Sequence, residues 1–254
     1  MKTILNDIIQ SRIMGERLLA VLIDPDKTIV SELPQKLDAI HKSMVTHVLV
    51  GGSEVDQSQA QKVTANISKL THLPVVLFPG SVDQISEAAD ALLFLSLLSG
   101  RNVDYLIGKQ VEAVPKLRHS KLEIIPTGYV LIGSENIQKT IKTAVQRVSK
   151  TNPMSPENIQ QIVDTAKAGE FLGMQLMYLE AGSGAGWQVP SEVISEVKND
   201  LNIPLIVGGG IKNRKQLELA YEAGANMVVI GTAFEQDPDF FQSLKLHSKE
   251  NRWP

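Results

Sequence analysis

Apolar residues along this chain collect in short, β-branched-rich runs at residues 18–23, 47–50, 75–78, 91–95, 123–126, 174–179, 205–207 and 227–230. Such runs lack polar alternation, as parallel strands covered on both faces do. Between them lie stretches with apolar residues three and four positions apart, which predict helices at 31–43, 57–70, 103–118, 155–168, 190–200 and 214–223. A short amphipathic helix at 3–12 precedes the first strand, and a closing helix is expected at 238–248. Ser31, Asn102 and Ser155 stand where N-caps belong, with Pro34 and Pro156 in or near the first turns. Residues 79–90 leave room for only one or two helical turns, so the third crossover helix is expected to be irregular or missing. Residues 133–153 read as a lid or loop with a short helix.

A strand-helix rhythm repeated eight times over 254 residues predicts a single α/β domain, residues 1–254, folded as a (β/α)8 TIM barrel. A doubly wound sheet is the alternative, and the even spacing favours closure. Composition narrows the function. Hydrophobic residues make up 43% and charged residues 21%, as in an ordered globular protein. A net charge of −3 gives no electrostatic reason to expect nucleic acid. The absence of cysteine excludes disulfides, thiolate metal sites and a cysteine nucleophile. No signal peptide or membrane span is expected, and a cytoplasmic location fits.

In such a barrel, chemistry sits at the C-terminal ends of the strands. The residues there are Asp24, Asp26 and Lys27 after strand 1, Ser53 after strand 2 and Ser81 after strand 3. Thr127 and Tyr129 follow strand 5, and Tyr178, Glu180 and Ser183 mark strand 6. Gly208–Gly210 and Gly231-Thr232 follow strands 7 and 8. Glycine turns after strands 7 and 8 present backbone N–H groups that can cradle phosphate, or are ordinary tight turns. Asp24 suits Mg²⁺, which uses one or two carboxylates and takes its other ligands from water and phosphates; equally, it caps the Asp-Pro turn. Glu180, at the end of an apolar strand, is a candidate general base or a salt-bridge partner. Tyr178 is packing or a polar tip for a ligand. The five histidines fall mostly at the wrong end of the barrel for catalysis or zinc.

Several stretches carry a resemblance: Ile23-Asp24-Pro25-Asp26-Lys27, Val50-Gly51-Gly52-Ser53, Val76-Leu77-Phe78-Pro79-Gly80, Tyr178-Leu179-Glu180-Ala181-Gly182-Ser183-Gly184-Ala185, Val207-Gly208-Gly209-Gly210-Ile211 and Val229-Ile230-Gly231-Thr232. In this order and over nearly the whole chain, they resemble the geranylgeranylglyceryl phosphate synthase family, which includes bacterial heptaprenylglyceryl phosphate synthases. The resemblance implies a prenyltransferase that joins sn-glycerol 1-phosphate to a long prenyl diphosphate as an ether, releases diphosphate and uses Mg²⁺. It implies Asp24 and Ser53 at the metal, and Tyr178, Leu179, Glu180, Ala181, Gly182, Ser183, Gly184, Gly209, Gly210, Gly231 and Thr232 at the glycerol phosphate. It makes Glu180 and Asp24 the catalytic pair. It also implies a homo-oligomer, transient membrane contact and a prenyl groove near the missing third helix. Leu95, Leu97, Leu98, Tyr105 and Leu131 are candidates to line that groove or equally to belong to the core, and Tyr105 is a candidate for its floor. The competing readings are a sugar-phosphate enzyme and a non-catalytic phosphate- or lipid-binding barrel.

Overall fold

In a computed structural model, residues 3–52, 56–133, 143–182, 184–231 and 234 are described. Eight parallel strands close in sequence order: β1 (Leu18–Ile23), β2 (His47–Val50), β3 (Val75–Leu77), β4 (Ala91–Leu97), β5 (Glu123–Leu131), β6 (Leu176–Glu180), β7 (Leu205–Gly208) and β8 (Met227–Ile230). Closure is made by β1 on β8, with Leu18 opposite Met227 and Val21 opposite Ile230. The helices are α1 (Ile4–Met14), α2 (Leu33–His41), α3 (Gln57–Leu70), α4 (Lys109–Leu117), α5 (Ala144–Ser149), α6 (Ile159–Phe171), α7 (Ser191–Asp200) and α8 (Arg214–Glu222). No helix among the described residues is long and apolar enough to cross a membrane.

Strand alternation divides the core in two. Leu18, Ala20, Leu49, Val76, Leu93, Ile125, Leu176, Tyr178, Ile206 and Val229 fill the barrel. Their neighbours Leu19, Val21, Val48, Leu77, Leu92, Val130, Met177, Leu179, Val207 and Val228 face the helical layer. The N-terminal end of the barrel is closed by α1, whose Ile8 is buried and whose Ile4 and Leu5 pack on the interior cluster. Thr3 caps this helix through Asn6 N, and Glu123 at the foot of β5 accepts from Ile4 N at 2.7 Å and Leu5 N at 3.1 Å.

The third crossover is a single 3₁₀ turn, Val82–Gln84. β3 and β4 consequently pair only through Val76 with Ala91 and Leu77 with Leu92, whereas β4 pairs with β5 over seven positions.

Other elements depart from the sequence expectation for local reasons. β5 continues through Thr127–Leu131, which were expected as loop. Pro126 is compatible with the strand because β6 begins beside Thr127, so the missing N–H costs no ladder bond there. β6 starts two residues late, since Gly173 at φ +96° and Met174 close the end of α6 through bonds to Glu170 O and Gly169 O. Ser155-Pro156 form a turn before α6 rather than its cap. Ser31 lies inside a 3₁₀ turn ahead of α2. The helix expected at 103–118 opens with a π turn, Asp104–Gly108, although Asn102 Oδ1 does accept from Asp104 N at 3.1 Å. The closing helix at 238–248 lies outside the described residues.

The Glu123 cap generates a stability prediction. Glu123→Ala removes two bonds to otherwise orphaned helix N–H groups and should destabilise the protein by about 1–2 kcal/mol. Urea denaturation reads this as a lower midpoint at unchanged slope, and an unaltered midpoint would show that α1 is held by its apolar contacts alone.

Candidate active site

The strand ends open into one cavity of about 820 Å³. Alternation decides which residues reach it. On β6, Leu176, Tyr178 and Glu180 point inward, while Leu179 and Ala181 join the cluster beneath the helices. Leu179 and Ala181 therefore turn their side chains away from the mouth, and of the stretch expected to bind glycerol phosphate neither they nor Gly182 borders the cavity.

Glu180 is 6% exposed. Its Oε1 accepts from Gly182 N at 2.8 Å, and the Tyr178 hydroxyl donates to the same carboxylate. Burial pushes its pKa up to about 7, against the downward pull of these two donors. Burial, and then the Glu180 charge, push the Tyr178 and Tyr129 phenols well above their ordinary value, so both stay protonated. The two rings meet edge to face at 5.4 Å, and Phe78 lies 5.2 Å from Tyr178 and 5.8 Å from Tyr129. These three rings form the floor beneath the carboxylate.

The glycines are required by close approach. A Cβ on Gly208, which pairs with Glu180 across β6 and β7, would overlap the Tyr178 hydroxyl. Gly209, at φ +83°, would place a Cβ against Glu180 Oε1 and 2.8 Å from the nitrogens of Ala181 and Gly182. A Cβ on Gly210, at φ +71°, would strike the Trp187 carbonyl. Gly184, Gly209, Gly210 and Gly231 border the cavity around Glu180. Glycine turns of this kind can present backbone N–H groups to a small anion.

Across the mouth, Asp24 lines the cavity and caps its own turn, accepting from Asp26 N at 3.1 Å. Its other oxygen lies 3.2 Å from Lys27 Nζ. The turn-capping reading of Asp24 is thus what the backbone shows, and it leaves carboxylate lone pairs facing the cavity. No group of three or more acidic, histidine or cysteine side chains that could hold a metal occurs among the described residues. A lone carboxylate fits Mg²⁺ shared with substrate phosphates better than a cation enclosed by protein.

Asp24, Tyr178, Glu180, Gly184, Gly209, Gly210 and Gly231 all border this cavity; Ser53, Ser183 and Thr232 lie outside the described residues. From the polar end the cavity runs along Phe78, Phe94, Leu95, Leu97 and Tyr105 into the gap left by the third helix. Of the expected groove residues, Leu98 packs under the helices and Leu131 fills the barrel interior, so neither borders it. Tyr105 borders it, but its hydroxyl donates to Val148 O at 3.1 Å and so ties the α5 segment down. Sequence reasoning missed Gln110, Val145, Arg147, Trp187 and Lys212, which also line the cavity. They come from helices and loops whose approach depends on tertiary packing, and no local signal marks them.

A closed parallel barrel whose cavity opens at the C-terminal strand ends, with glycine turns and a buried carboxylate at one end and an apolar groove at the other, belongs to the class of (β/α)8 proteins. The sequence profile of the PcrB family matches residues 11–247. The chain is 52% identical over 241 residues to a geranylgeranylglyceryl phosphate synthase of Flavobacterium johnsoniae, covering 95% of this chain and 97% of that one. It is 39% identical to the enzyme of that name from Methanopyrus kandleri, over 86% of this chain and 88% of that one. The crystal structure of (S)-3-O-geranylgeranylglyceryl phosphate synthase from Thermoplasma acidophilum, in complex with its substrate sn-glycerol-1-phosphate, superposes with a TM-score of 0.88 at 32% identity, covering 96% of each chain. This chain belongs to the PcrB family.

The Glu180 environment generates a pH prediction. Its folded pKa of about 7 lies above the ordinary 4.5. Its contribution to stability is therefore fully present below about 4.5, declines as pH rises, and is lost above about 7. Denaturation curves of the ligand-free protein should show a loss of about 3 kcal/mol across that window relative to Glu180→Gln. Parallel pH profiles for the two proteins would mean that the carboxyl is not desolvated.

Proposed function

We propose that this chain is a prenyltransferase that joins sn-glycerol 1-phosphate to geranylgeranyl diphosphate through an ether bond and releases diphosphate. The observation that carries the reading is the continuity of one cavity, with a buried carboxylate and glycine cradle at one end and an apolar groove at the other. Two substrates of opposite polarity fit that shape. The likeness to named synthases over almost the full chain supports it. A sugar-phosphate substrate would leave the apolar limb unused.

In this reading the glycine turns hold the phosphate, and Glu180 orients the terminal hydroxyl of glycerol phosphate toward C1 of the prenyl group. The hydroxyl oxygen forms the new bond to C1, the C1–O bond to diphosphate breaks, and Glu180 accepts the hydroxyl proton. A carboxyl with a pKa of about 7 is well matched to accept that proton near neutrality and return it to water. The Tyr178 hydroxyl and Gly182 N–H hold the carboxylate in place. Asp24 would hold Mg²⁺ beside the diphosphate, and the ion would supply neutralisation of the leaving group's charge. The three aromatic rings close the floor against water.

Two further points of this reading concern partners and place. Val103, Ile107, Val111 and Val114 form an exposed apolar stripe at helical spacing, with Val103 65% and Val111 63% exposed. A stripe of this kind is unusual on a monomer and supports a homo-oligomer. The protein works in the cytoplasm and meets the membrane transiently to deliver its lipid product.

The deciding experiment incubates the protein with Mg²⁺, labelled sn-glycerol 1-phosphate and a set of prenyl diphosphates, and looks for the ether lipid. Failure to form it with any donor would overturn the reading. Glu180→Gln should lower kcat by roughly a hundredfold or more while the protein stays folded; near-normal turnover would remove Glu180 from its role. Asp24→Asn should shift the Mg²⁺ dependence to higher concentration, and an unchanged titration would place the ion elsewhere. For assembly, Val111→Glu should yield a smaller species in light scattering than the wild type, whereas equal masses would clear this stripe of any interface.

A further inference from the structure

One polar side chain in the apolar limb has no part in the reaction just described. β4 runs on to Leu97 after β3 has ended, so its edge beyond Leu92 has no strand beside it. Gln110 of α4 crosses to this edge, and its amide nitrogen donates to the Leu95 carbonyl. Only the nitrogen of an amide can donate to a carbonyl, which fixes which way the group is turned. The opposite atom, Gln110 Oε1, is buried and has no hydrogen-bond partner. The residue is 8% exposed, yet it forms part of the groove wall, among Phe94, Leu95, Ala113 and Ile85.

We propose that Gln110 determines the prenyl chain length the groove accepts. The inference rests on the transferase reading and adds a specificity residue to it. A hydrocarbon tail has neither donor nor acceptor. Tail methylenes that reach the amide gain less from contact than they would against a leucine, because a polar group stands where apolar surface would otherwise meet the chain. A tail that stops short of Gln110 escapes this penalty, and a tail that passes it does not. The residue thereby acts on the difference between donors rather than on turnover as such. Beyond it, Ala113, Ile85 and Leu92 continue the wall with apolar groups, so the groove extends past the amide.

The test compares kcat/KM for farnesyl, geranylgeranyl and heptaprenyl diphosphate in the full-length wild type, Gln110→Leu and Gln110→Glu, with sn-glycerol 1-phosphate as acceptor. Gln110→Leu should raise the heptaprenyl to geranylgeranyl ratio by about tenfold, chiefly through KM for the longer donor. Gln110→Glu, which places a more polar group on the same wall, should lower that ratio. If both variants change all donors by the same factor, Gln110 serves only to satisfy the Leu95 carbonyl and the proposal is overturned. Gln110→Met makes the same comparison should the leucine variant fail to fold. A wild type that forms no ether lipid with any donor would instead overturn the transferase reading itself.

Discussion

The site depends on a carboxylate that is almost wholly buried at the edge of the cavity. A buried, ionised glutamate is costly unless donors surround it, and Glu180 has two, the Gly182 N–H and the Tyr178 hydroxyl. Each imposes a condition on the chain nearby. The Tyr178 hydroxyl occupies the space where a Cβ on the next strand would stand, so that position is Gly208. Glu180 Oε1 does the same toward Gly209, whose positive φ then starts the glycine turn that borders the cavity. The glycine-rich end of β7 is thus the complement of the acidic end of β6. The glycine turn and the buried carboxylate are one construction.

The second constraint is the short interval between β3 and β4. A full helix there would cover the outer face of β4 as its counterparts cover the other strands. A single 3₁₀ turn leaves that face open, and the cavity continues through the opening. The aromatic floor of Phe78, Tyr129 and Tyr178 keeps the barrel interior closed below, so a long ligand has only the sideways path. The missing element and the packed floor together turn a barrel mouth into a bent channel with one polar and one apolar limb.

Much of this was legible in the sequence, because strand runs and helical periodicity are local signals. All eight strands, the barrel and the deficient third crossover follow from spacing alone. Two-residue alternation along β6 also shows why Tyr178 and Glu180 face the cavity while Leu179 and Ala181 face the helices, although a contiguous motif read as a block hides this. Boundaries were less legible where a residue's usual meaning was overridden by its neighbours. Pro126 looked like a strand end and is not, since the partner strand makes no demand on its nitrogen. Gln110, Trp187 and Lys212 could not be read at all, because their place in the site comes from how α4 and two loops pack against the barrel rather than from any nearby pattern.

Under the proposed reading, Asp24 would serve the fold and a ligand at once. The turn takes one lone-pair direction of the carboxylate, through Asp26 N, and fixes the orientation of the group. Its other oxygen faces Lys27, whose side chain is 52% exposed. An ion pair so open to solvent contributes little stability, so exchanging it costs little. A diphosphate entering the cavity would attract the Lys27 ammonium, which also lines it, and a cation could take its place at Asp24. The two negative groups would then share two positive ones, and the net charge of the mouth would change less than if either arrived alone. Metal and diphosphate should for this reason bind better together than separately, which is what a site with a single carboxylate requires.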